Sequence, residues 1–170
     1  RLRSHGMTKN PNLLEKNDGP WYYEMHEVGY NYRITDFQCA LGSSQLKKLD
    51  SFIQKRREIA KQYDESFSNI DFLKIPKVQN AVEHSYHLYP LQVDFDKLTL
   101  IKSELFVKMK KIGINLQVHY IPIHLQPFYK KNYGFNINDF PASESFYQDE
   151  VSLPIYPDLN QEDQQQAIRM

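Results

Sequence analysis

The sequence predicts a mixed α/β fold, in which long helices lead into a small α+β domain. From Thr35 to Phe67 apolar residues recur at helical spacing, and beyond this stretch short alternating runs, typical of half-buried strands, are separated by further helical runs. The chain has 170 residues, of which 41% are hydrophobic, and this is enough for one core and a small appendage. We therefore expect one domain and a piece of another.

The first 30 residues have no sustained period. They are rich in Asn, Gly, Pro and aromatic residues, which indicates an irregular segment that crosses a surface or an interface. Trp21, Tyr22 and Tyr23 are adjacent in this segment, and aromatic side chains bury a large area each. We expect these three to dock against another part of the molecule or its partner.

The helical part begins with a clear start signal. Thr35 and Gln38 have the spacing of a capping box, and Asp36 places a negative charge in the positive first turn. A second helical run ends near Phe67, and we expect a bend near Asp50 between the two runs.

Alternation and helical spacing then predict a strand over 89–95, a helix over 98–112 that ends at Gly113, and a strand over 114–118. A further helix is predicted from Pro141 and a strand over 151–155. Asn160 is a good N-cap for a last helix.

Charge and cysteine content exclude some classes of protein. Acidic and basic residues number 21 each, so the chain has no basic field that would attract nucleic acid. No run approaches the roughly 20 apolar residues of a membrane helix. The one cysteine, Cys39, cannot form an internal disulfide and is expected to pack inside a helix, which favours a reducing, cytoplasmic setting. The start at Arg1 and the end inside a helical pattern predict a fragment.

The first candidate site is the polar loop of residues 29–36, which runs directly into the capped helix. Asn31 and Arg33 stand just before a helix N-terminus, where free N–H groups and partial positive charge favour a phosphate or carboxylate. The alternative is that Asn31 makes a turn and Arg33 pairs with a surface acid. The residues alone leave both open.

The second candidate site is the strand end and Pro-containing turn of residues 117–124. Gln117, Val118, His119 and Tyr120 end the strand, and His124 follows; a neutral His or a Tyr there can hydrogen-bond a nucleotide or sugar. A packed structural histidine is an equal alternative for His119. A zinc site of His84, His87, His119 and His124 lacks a recognised ligand spacing, so no metal site is predicted.

Several strings of the sequence resemble the DegT/DnrJ/EryC1/StrS sugar aminotransferases, which belong to the fold-type I class that depends on pyridoxal 5'-phosphate (PLP). In chain order the matching strings are Leu2 to Gly6, Gly29 to Arg33, Ala40 to Gly42 with Gln45-Leu46, His119-Tyr120, Pro122 to His124 and Ser152 to Pro157. They span nearly the whole chain. Gly19 to Glu24 and Gln117 to Tyr120 are most similar to the pseudaminic acid branch of the family.

The resemblance implies a reaction, a cofactor and partners. Within this family, PLP and L-glutamate supply an amino group to C4 of a UDP-linked 4-keto-6-deoxy sugar, in a homodimer with shared active sites. The lysine that forms the Schiff base precedes the segment similar to residues 2–6, so the chain itself carries no catalytic lysine. Some family members with histidine at that position are dehydratases. A further alternative is that the 170 residues act alone as a binding or dimerisation module without catalysis.

The resemblance also assigns residues. Asn31 and Arg33 match positions near the cofactor, and Gln117, Val118, His119 and Tyr120 match the strand end beside the sugar nucleotide. Tyr30, Tyr32 and His124 are weaker candidates. The implied domains are 1–34 as the end of the large domain, 35–70 as connecting helices and 71–170 as the small domain.

Overall fold

The computed structural model describes residues 1 to 169, which form two compact units, the first from Arg1 to Lys48 and the second from Leu49 onward. In the first unit, strands β1 (Met7–Thr8) and β2 (Glu24–Met25) form a short antiparallel ladder, and helix α1 spans Asp36–Leu46. Most of the first 30 residues lie outside regular structure, as predicted.

Helix α1 begins at the predicted capping box. The Thr35 hydroxyl accepts a hydrogen bond from the Gln38 N–H, and the Gln38 side chain accepts one from the Thr35 N–H in return. Among its described residues α1 has no buried side chain, and Phe37 is 80% exposed. Its caps and local propensity, rather than packing within this chain, therefore account for the helix.

The second unit contains five helices and a small sheet within the described residues. The helices are α2 (Leu49–Phe67), α3 (Lys102–Lys111), α4 (Pro127–Tyr133), α5 (Pro141–Asp149) and α6 (Gln161–Ile168), and the strands are β3 (Leu73–Lys74), β4 (Tyr89–Val93) and β5 (Glu150–Leu153). The helical path breaks at Lys47 and Lys48, close to the bend predicted near Asp50. Asn160 caps α6 through the N–H of Asp163, as predicted.

The sheet has the order β3-β4-β5 and is antiparallel throughout its described strands. One face carries the core, in which Leu91 of β4 is paired with Val151 of β5 and both are fully buried. Burying such a side chain stabilises the fold by about 1.5–3 kcal/mol. Helices α2, α3 and α6 complete this core with Ile59, Ala60, Tyr63, Phe67, Leu105, Met109 and Ala167.

The opposite face of β5 is polar and nevertheless covered. Because side chains alternate along a strand, Glu150 and Ser152 lie on the face away from Val151 and Leu153. Both are buried, and Glu150 has no exposed surface. This face adjoins the second candidate site.

The strand predicted over 114–118 is wrong as a strand. Ile114 and Leu116 are buried, as the alternation indicated, but the segment pairs with β5 only through an isolated bridge between Gln117 and Ser152. The strand predicted over 89–95 ends at Val93, and a 3-10 turn at Phe95–Lys97 delays the following helix to Lys102.

Helix α3 ends as predicted at Gly113, whose φ is +88°. The Gly113 N–H donates to the Lys110 carbonyl and the Ile114 N–H donates to the Met109 carbonyl, which is the pair of bonds that defines a Schellman motif. Met109 and Ile114 are both buried and supply its usual apolar contact. Helix α4 was not predicted, although Pro127 at its start and Gly134 at its left-handed end are ordinary signals.

Candidate functional site

The first candidate loop, residues 29–36, is tied by its backbone to residues 2–6. The N–H of Tyr30 donates to the Leu2 carbonyl at 2.6 Å, and the N–H of Tyr32 donates to the Arg3 carbonyl at 2.9 Å. His5 returns a bond from its N–H to the Tyr30 carbonyl at 2.9 Å. The two strings that are far apart in sequence are therefore one structural element.

Two glycines permit this close approach. A Cβ on Gly29 would lie 2.2 Å from the Gly6 nitrogen, and a Cβ on Gly6 would lie 1.7 Å from the Glu27 carbonyl oxygen. Gly6 also has a φ of +71°, which L side chains rarely adopt. Only glycine fits at either position without moving the backbone.

The side chains of Asn31 and Arg33 remain available on this element. Arg33 donates from Nε to the Ser4 hydroxyl at 2.9 Å, which fixes the guanidinium beside the segment of residues 2–6. The Asn31 side chain is exposed and, among residues 1 to 169, has no hydrogen-bond partner. Arg33 is exposed too, and its other N–H groups are free within the described chain. Both can donate to an anionic or carbonyl group of a ligand.

A single carboxylate organises the loop that precedes this element. Glu24 accepts hydrogen bonds from the N–H groups of Glu15 and Lys16, from the Tyr22 hydroxyl and from the His26 ring. These bonds, above all that from the Glu15 N–H, lower the pKa of Glu24 to about 2. The carboxylate thus holds the turn that carries the exposed Trp21 and Tyr23.

The second candidate segment, residues 117–120, is attached to β5 in the second unit. Gln117 and Ser152 exchange two backbone hydrogen bonds, at 3.3 and 2.9 Å. The His119 N–H donates to Oε2 of Glu150 at 2.9 Å, and Nδ1 of the His119 ring lies 2.8 Å from the Ser152 hydroxyl. Sequence reasoning missed Glu150 and Ser152, whose signal was a pair of polar residues two apart within a buried strand.

The four predicted residues of this segment differ in exposure. Gln117 and Tyr120 are exposed, whereas Val118 and His119 are half-buried. The Tyr120 ring meets the His119 ring edge-on, with centroids 4.7 Å apart. The peptide bond between His119 and Tyr120 is cis.

The weaker candidate His124 contacts a carboxylate of α5. It is buried, and its Nε2 lies 2.9 Å from a carboxylate oxygen of Glu144. Glu144 also accepts bonds from the N–H groups of Asn138 and Phe140, and the His124 contact leads the interactions that lower the pKa of this carboxyl group. The pair joins the turn before α4 to α5.

The other histidines do not gather into a metal site in this structure. Within residues 1 to 169 no group of three or more His, Cys, Asp or Glu side chains is arranged to hold a metal ion. The predicted packing of Cys39 is wrong, because its side chain is exposed on α1. No described helix is long and apolar enough to cross a membrane.

The predicted site residues therefore fall into two groups, each held by its own unit. Asn31 and Arg33 belong to the first, and the segment from Gln117 to Tyr120 belongs to the second. The sequence profile of the DegT/DnrJ/EryC1/StrS aminotransferase family matches residues 1–170.

The chain belongs to that family.

Individual members of the DegT/DnrJ/EryC1/StrS family agree with this assignment. The spore coat polysaccharide biosynthesis protein SpsC of Bacillus subtilis is 39% identical over 98% of this chain and 43% of its own length. The UDP-4-amino-4,6-dideoxy-N-acetyl-beta-L-altrosamine transaminase of Campylobacter jejuni is 40% identical over 95% of this chain and 40% of its own. The chain thus spans about two fifths of these relatives.

Solved structures of aminotransferases share the fold. PseC of Helicobacter pylori, an aminotransferase of pseudaminic acid biosynthesis, matches 99% of this chain and 42% of its own with a TM-score of 0.83 and 33% identity. Spr1654 of Streptococcus pneumoniae, solved in its PLP form, matches 99% of this chain and 40% of its own with a TM-score of 0.84 and 28% identity. The α/β fold predicted for the C-terminal part of such an enzyme is confirmed.

Proposed function

We propose that the 170 residues are the C-terminal part of a PLP-dependent sugar-nucleotide aminotransferase. Its reaction transfers an amino group from L-glutamate to C4 of a UDP-linked 4-keto-6-deoxy-N-acetylhexosamine, in pseudaminic acid biosynthesis. The proposal depends on the match of all 170 residues to the family, together with 40% identity to the Campylobacter transaminase. The family domains predicted at 1–34, 35–70 and 71–170 remain part of this proposal.

The free donors of the first unit suit a cofactor that carries a phosphate and a phenolate oxygen. PLP, when bound, supplies an electron sink for the exchange of the amino group. Asn31 has an unpaired amide, and Arg33 is anchored through Nε so that its other N–H groups stay directed as a set. In this proposal the two side chains bind and orient the cofactor end of the site, which a homodimer assembles from two copies.

The segment of Gln117 to Tyr120 takes the sugar-nucleotide side of the proposed site. It offers an exposed amide and an exposed phenol, and between them a half-buried imidazole that is fixed to the sheet. Groups held in this way orient a polar ligand at little cost in side-chain entropy. The covalent step belongs to a lysine that we place before this chain, so the chain alone is expected to be inactive.

Other members of the same family are the second candidate. SpsC is 39% identical to this chain, and the Campylobacter transaminase is 40% identical, so identity alone does not separate their substrates. Substrate choice depends on pocket contacts, many of them outside this segment. The cytoplasm is the compartment we propose, because an exposed free thiol such as that of Cys39 is typical of reducing surroundings.

Full-length protein mixed with L-glutamate and a panel of UDP-4-keto sugars tests the reaction. We expect amino transfer to the 4-keto-6-deoxy-N-acetylhexosamine, seen as a new amino sugar and as 2-oxoglutarate. Absence of transfer from a protein that retains PLP would reject the proposed reaction. Turnover by the 170-residue chain alone would contradict the placement of the catalytic lysine before this chain.

The variant Asn31→Ala tests the cofactor side. Loss of one ligand hydrogen bond, with its partner left unpaired, costs about tenfold in affinity, so we expect faster loss of PLP on dialysis or a weaker apparent substrate affinity. Asn69→Ala is the matched control, because Asn69 is an exposed asparagine after α2. Equal retention and affinity in both variants would remove Asn31 from the site.

A further inference from the structure

A hydrogen-bonded chain runs from the buried side of β5 to the half-buried ring of His119. Ser152 donates from its hydroxyl to Oε1 of Glu150 at 2.5 Å, and Nδ1 of His119 lies 2.8 Å from the same hydroxyl oxygen. Oε2 of Glu150 accepts the backbone N–H of His119 at 2.9 Å. The His119 backbone is therefore bonded directly to the Glu150 carboxylate, and the His119 ring is linked to the same carboxylate through Ser152.

The available protons fix the direction of each hydrogen bond between Glu150, Ser152 and His119. An ionised Glu150 has only acceptors, so the single proton of the Ser152 hydroxyl is used in the bond to Oε1. The Ser152 oxygen then accepts a bond from His119, which requires a proton on Nδ1. The neutral ring is left with a lone pair on Nε2.

One cation, Lys102, lies in the surroundings of the Glu150 carboxylate. Burial lowers the pKa of the Lys102 ammonium group, and the carboxylates of Glu150 and Asp149 oppose that shift. Lys102 itself donates to the Tyr147 carbonyl at the end of α5 and lies over the Tyr147 ring. The buried carboxylate thus has a cation in its surroundings as well as two direct donors.

The free ring nitrogen of His119 reaches solvent. Among residues 1 to 169 no buried side-chain nitrogen or oxygen lacks a hydrogen-bond partner, and Nε2 of His119 has no partner in that part of the chain. Nε2 must therefore be accessible. The His119 ring meets the ring of the exposed Tyr120 edge-on, and both belong to the segment that the proposed function gives to the sugar nucleotide.

We propose that Glu150 and Ser152 are positioning residues that hold His119 as the Nδ1–H tautomer, so that Nε2 accepts a hydrogen bond from a hydroxyl or amide N–H of the nucleotide sugar. This inference rests on the proposed function for its ligand and on the hydrogen-bonded chain for its tautomer. Neutral Nε2 selects a donor group of the ligand over a bare phosphate oxygen, which has no proton to offer.

The tautomer is tested by NMR of the 170-residue chain labelled with 15N-histidine. We expect the neutral His119 ring to carry its proton on Nδ1. In Glu150→Gln the amide nitrogen donates to the Ser152 oxygen, the hydroxyl then donates to Nδ1, and the proton moves to Nε2. His84 is an internal control, because its Nδ1 accepts the Tyr86 N–H and its own proton stays on Nε2 in both proteins.

Two serine variants keep the test decisive if Glu150→Gln folds poorly. Ser152→Ala removes the relay and is expected to release the fixed tautomer, whereas Ser152→Thr keeps the hydroxyl and restores it. A proton on Nε2 of wild-type His119, or the same tautomer in wild-type, Glu150→Gln and Ser152→Ala proteins, would overturn the inference.

Binding of UDP-N-acetylglucosamine to the full-length, PLP-loaded protein tests the ligand. We expect Glu150→Gln and Ser152→Ala to raise its dissociation constant about tenfold, because Nε2–H or a mobile ring no longer presents the acceptor. Unchanged affinity in variants with an altered tautomer overturns the ligand assignment. Wild-type protein that binds no UDP-sugar overturns the proposed function as well, while the NMR result decides the tautomer separately.

Discussion

Gly6 and Gly29 allow backbone segments of the first unit to approach closely, because neither residue has a Cβ. Gly29→Ala would push a methyl group into the backbone of residues 5 and 6, so we expect this variant to lose the hydrogen bonds of Tyr30 and Tyr32 to residues 2 and 3. Amide hydrogen exchange of the chain measures this as lost protection at residues 5, 30 and 32.

The control is a glycine without such a contact. Gly42 lies in α1 with nothing within 4 Å of the position of a Cβ, so Gly42→Ala should leave those amides protected. If Gly29→Ala kept the same protection, the close approach of the two segments would be contradicted.

Glu24 gives the first unit a dependence on acid. Its pKa is lowered from 4.5 to about 2 in the folded chain, so its contribution is fully present above pH 4.5 and is lost as the pH falls towards 2. We expect the amide resonances of Glu15 and Lys16 in the folded chain to titrate with a midpoint near pH 2. Glu24→Gln should abolish the titration, and a midpoint near 4.5 in the wild type would contradict the shared carboxylate.

Single residues also show where sequence reasoning stops. A helix start is predicted from Thr35, Asp36 and Gln38, because these interacting residues all lie within one turn. The pairing of His124 with Glu144, twenty residues along the chain, requires the turn between α4 and α5 to be folded first. Likewise, sequence reasoning selected His119 as a site residue but not Ser152, because their contact joins residues 33 positions apart.

At the scale of elements, the end of α3 offers a test of backbone strain alone. Gly113 has φ +88° and open space at its Cβ position, so Gly113→Ala should destabilise the second unit by about 1 kcal/mol through conformation only. Gly42→Ala, equally open but inside a helix, should stabilise the chain by up to about 1 kcal/mol. Urea unfolding followed by circular dichroism measures both.

Opposite signs for these two alanines are the informative outcome. A loss at both positions would indicate packing that the structure does not contain, and no loss at Gly113 would contradict the Schellman motif. Gly113→Asn is expected to cost less than Gly113→Ala, because asparagine tolerates the left-handed region better.

The segment 114–118 explains why elements are harder to predict than burial. Alternation reports that Ile114 and Leu116 face the core, and they do. It does not report whether a neighbouring strand continues the hydrogen-bond ladder, and here pairing with β5 is limited to Gln117. The helical spacing predicted α3 and its end at Gly113, because a helix satisfies its own backbone bonds, but it placed the start of the helix too early.

For the whole molecule, the exposed apolar side chains of the first unit fit the proposed assembly of two copies. Trp21, Tyr32 and Phe37 are each at least 70% exposed in this chain. Exposed aromatic residues in one segment are typical of a surface that docks against another part of an assembly. The docking predicted for Trp21, Tyr22 and Tyr23 stays a prediction.

Phe37→Ser tests that view. In the 170-residue chain it should leave urea unfolding nearly unchanged, since the side chain buries little there. In the full-length protein we expect the dimer to dissociate at a concentration at least about tenfold higher, measured by sedimentation velocity. Gln45→Ser, on the same helix, is the control, and equal dimer stability in both variants would place the interface elsewhere.

The close approach of the backbone at Gly6 and Gly29 has a practical consequence for labelling the protein. Residues 7–28 form a loop whose two ends meet at these glycines. Lengthening such a loop raises the entropic cost of closing it only slowly. The 3-10 turn at Pro11–Leu13 is exposed and lies within this loop. A short peptide tag inserted at this turn would lengthen the loop and leave Gly6, Gly29 and Asn31 unchanged.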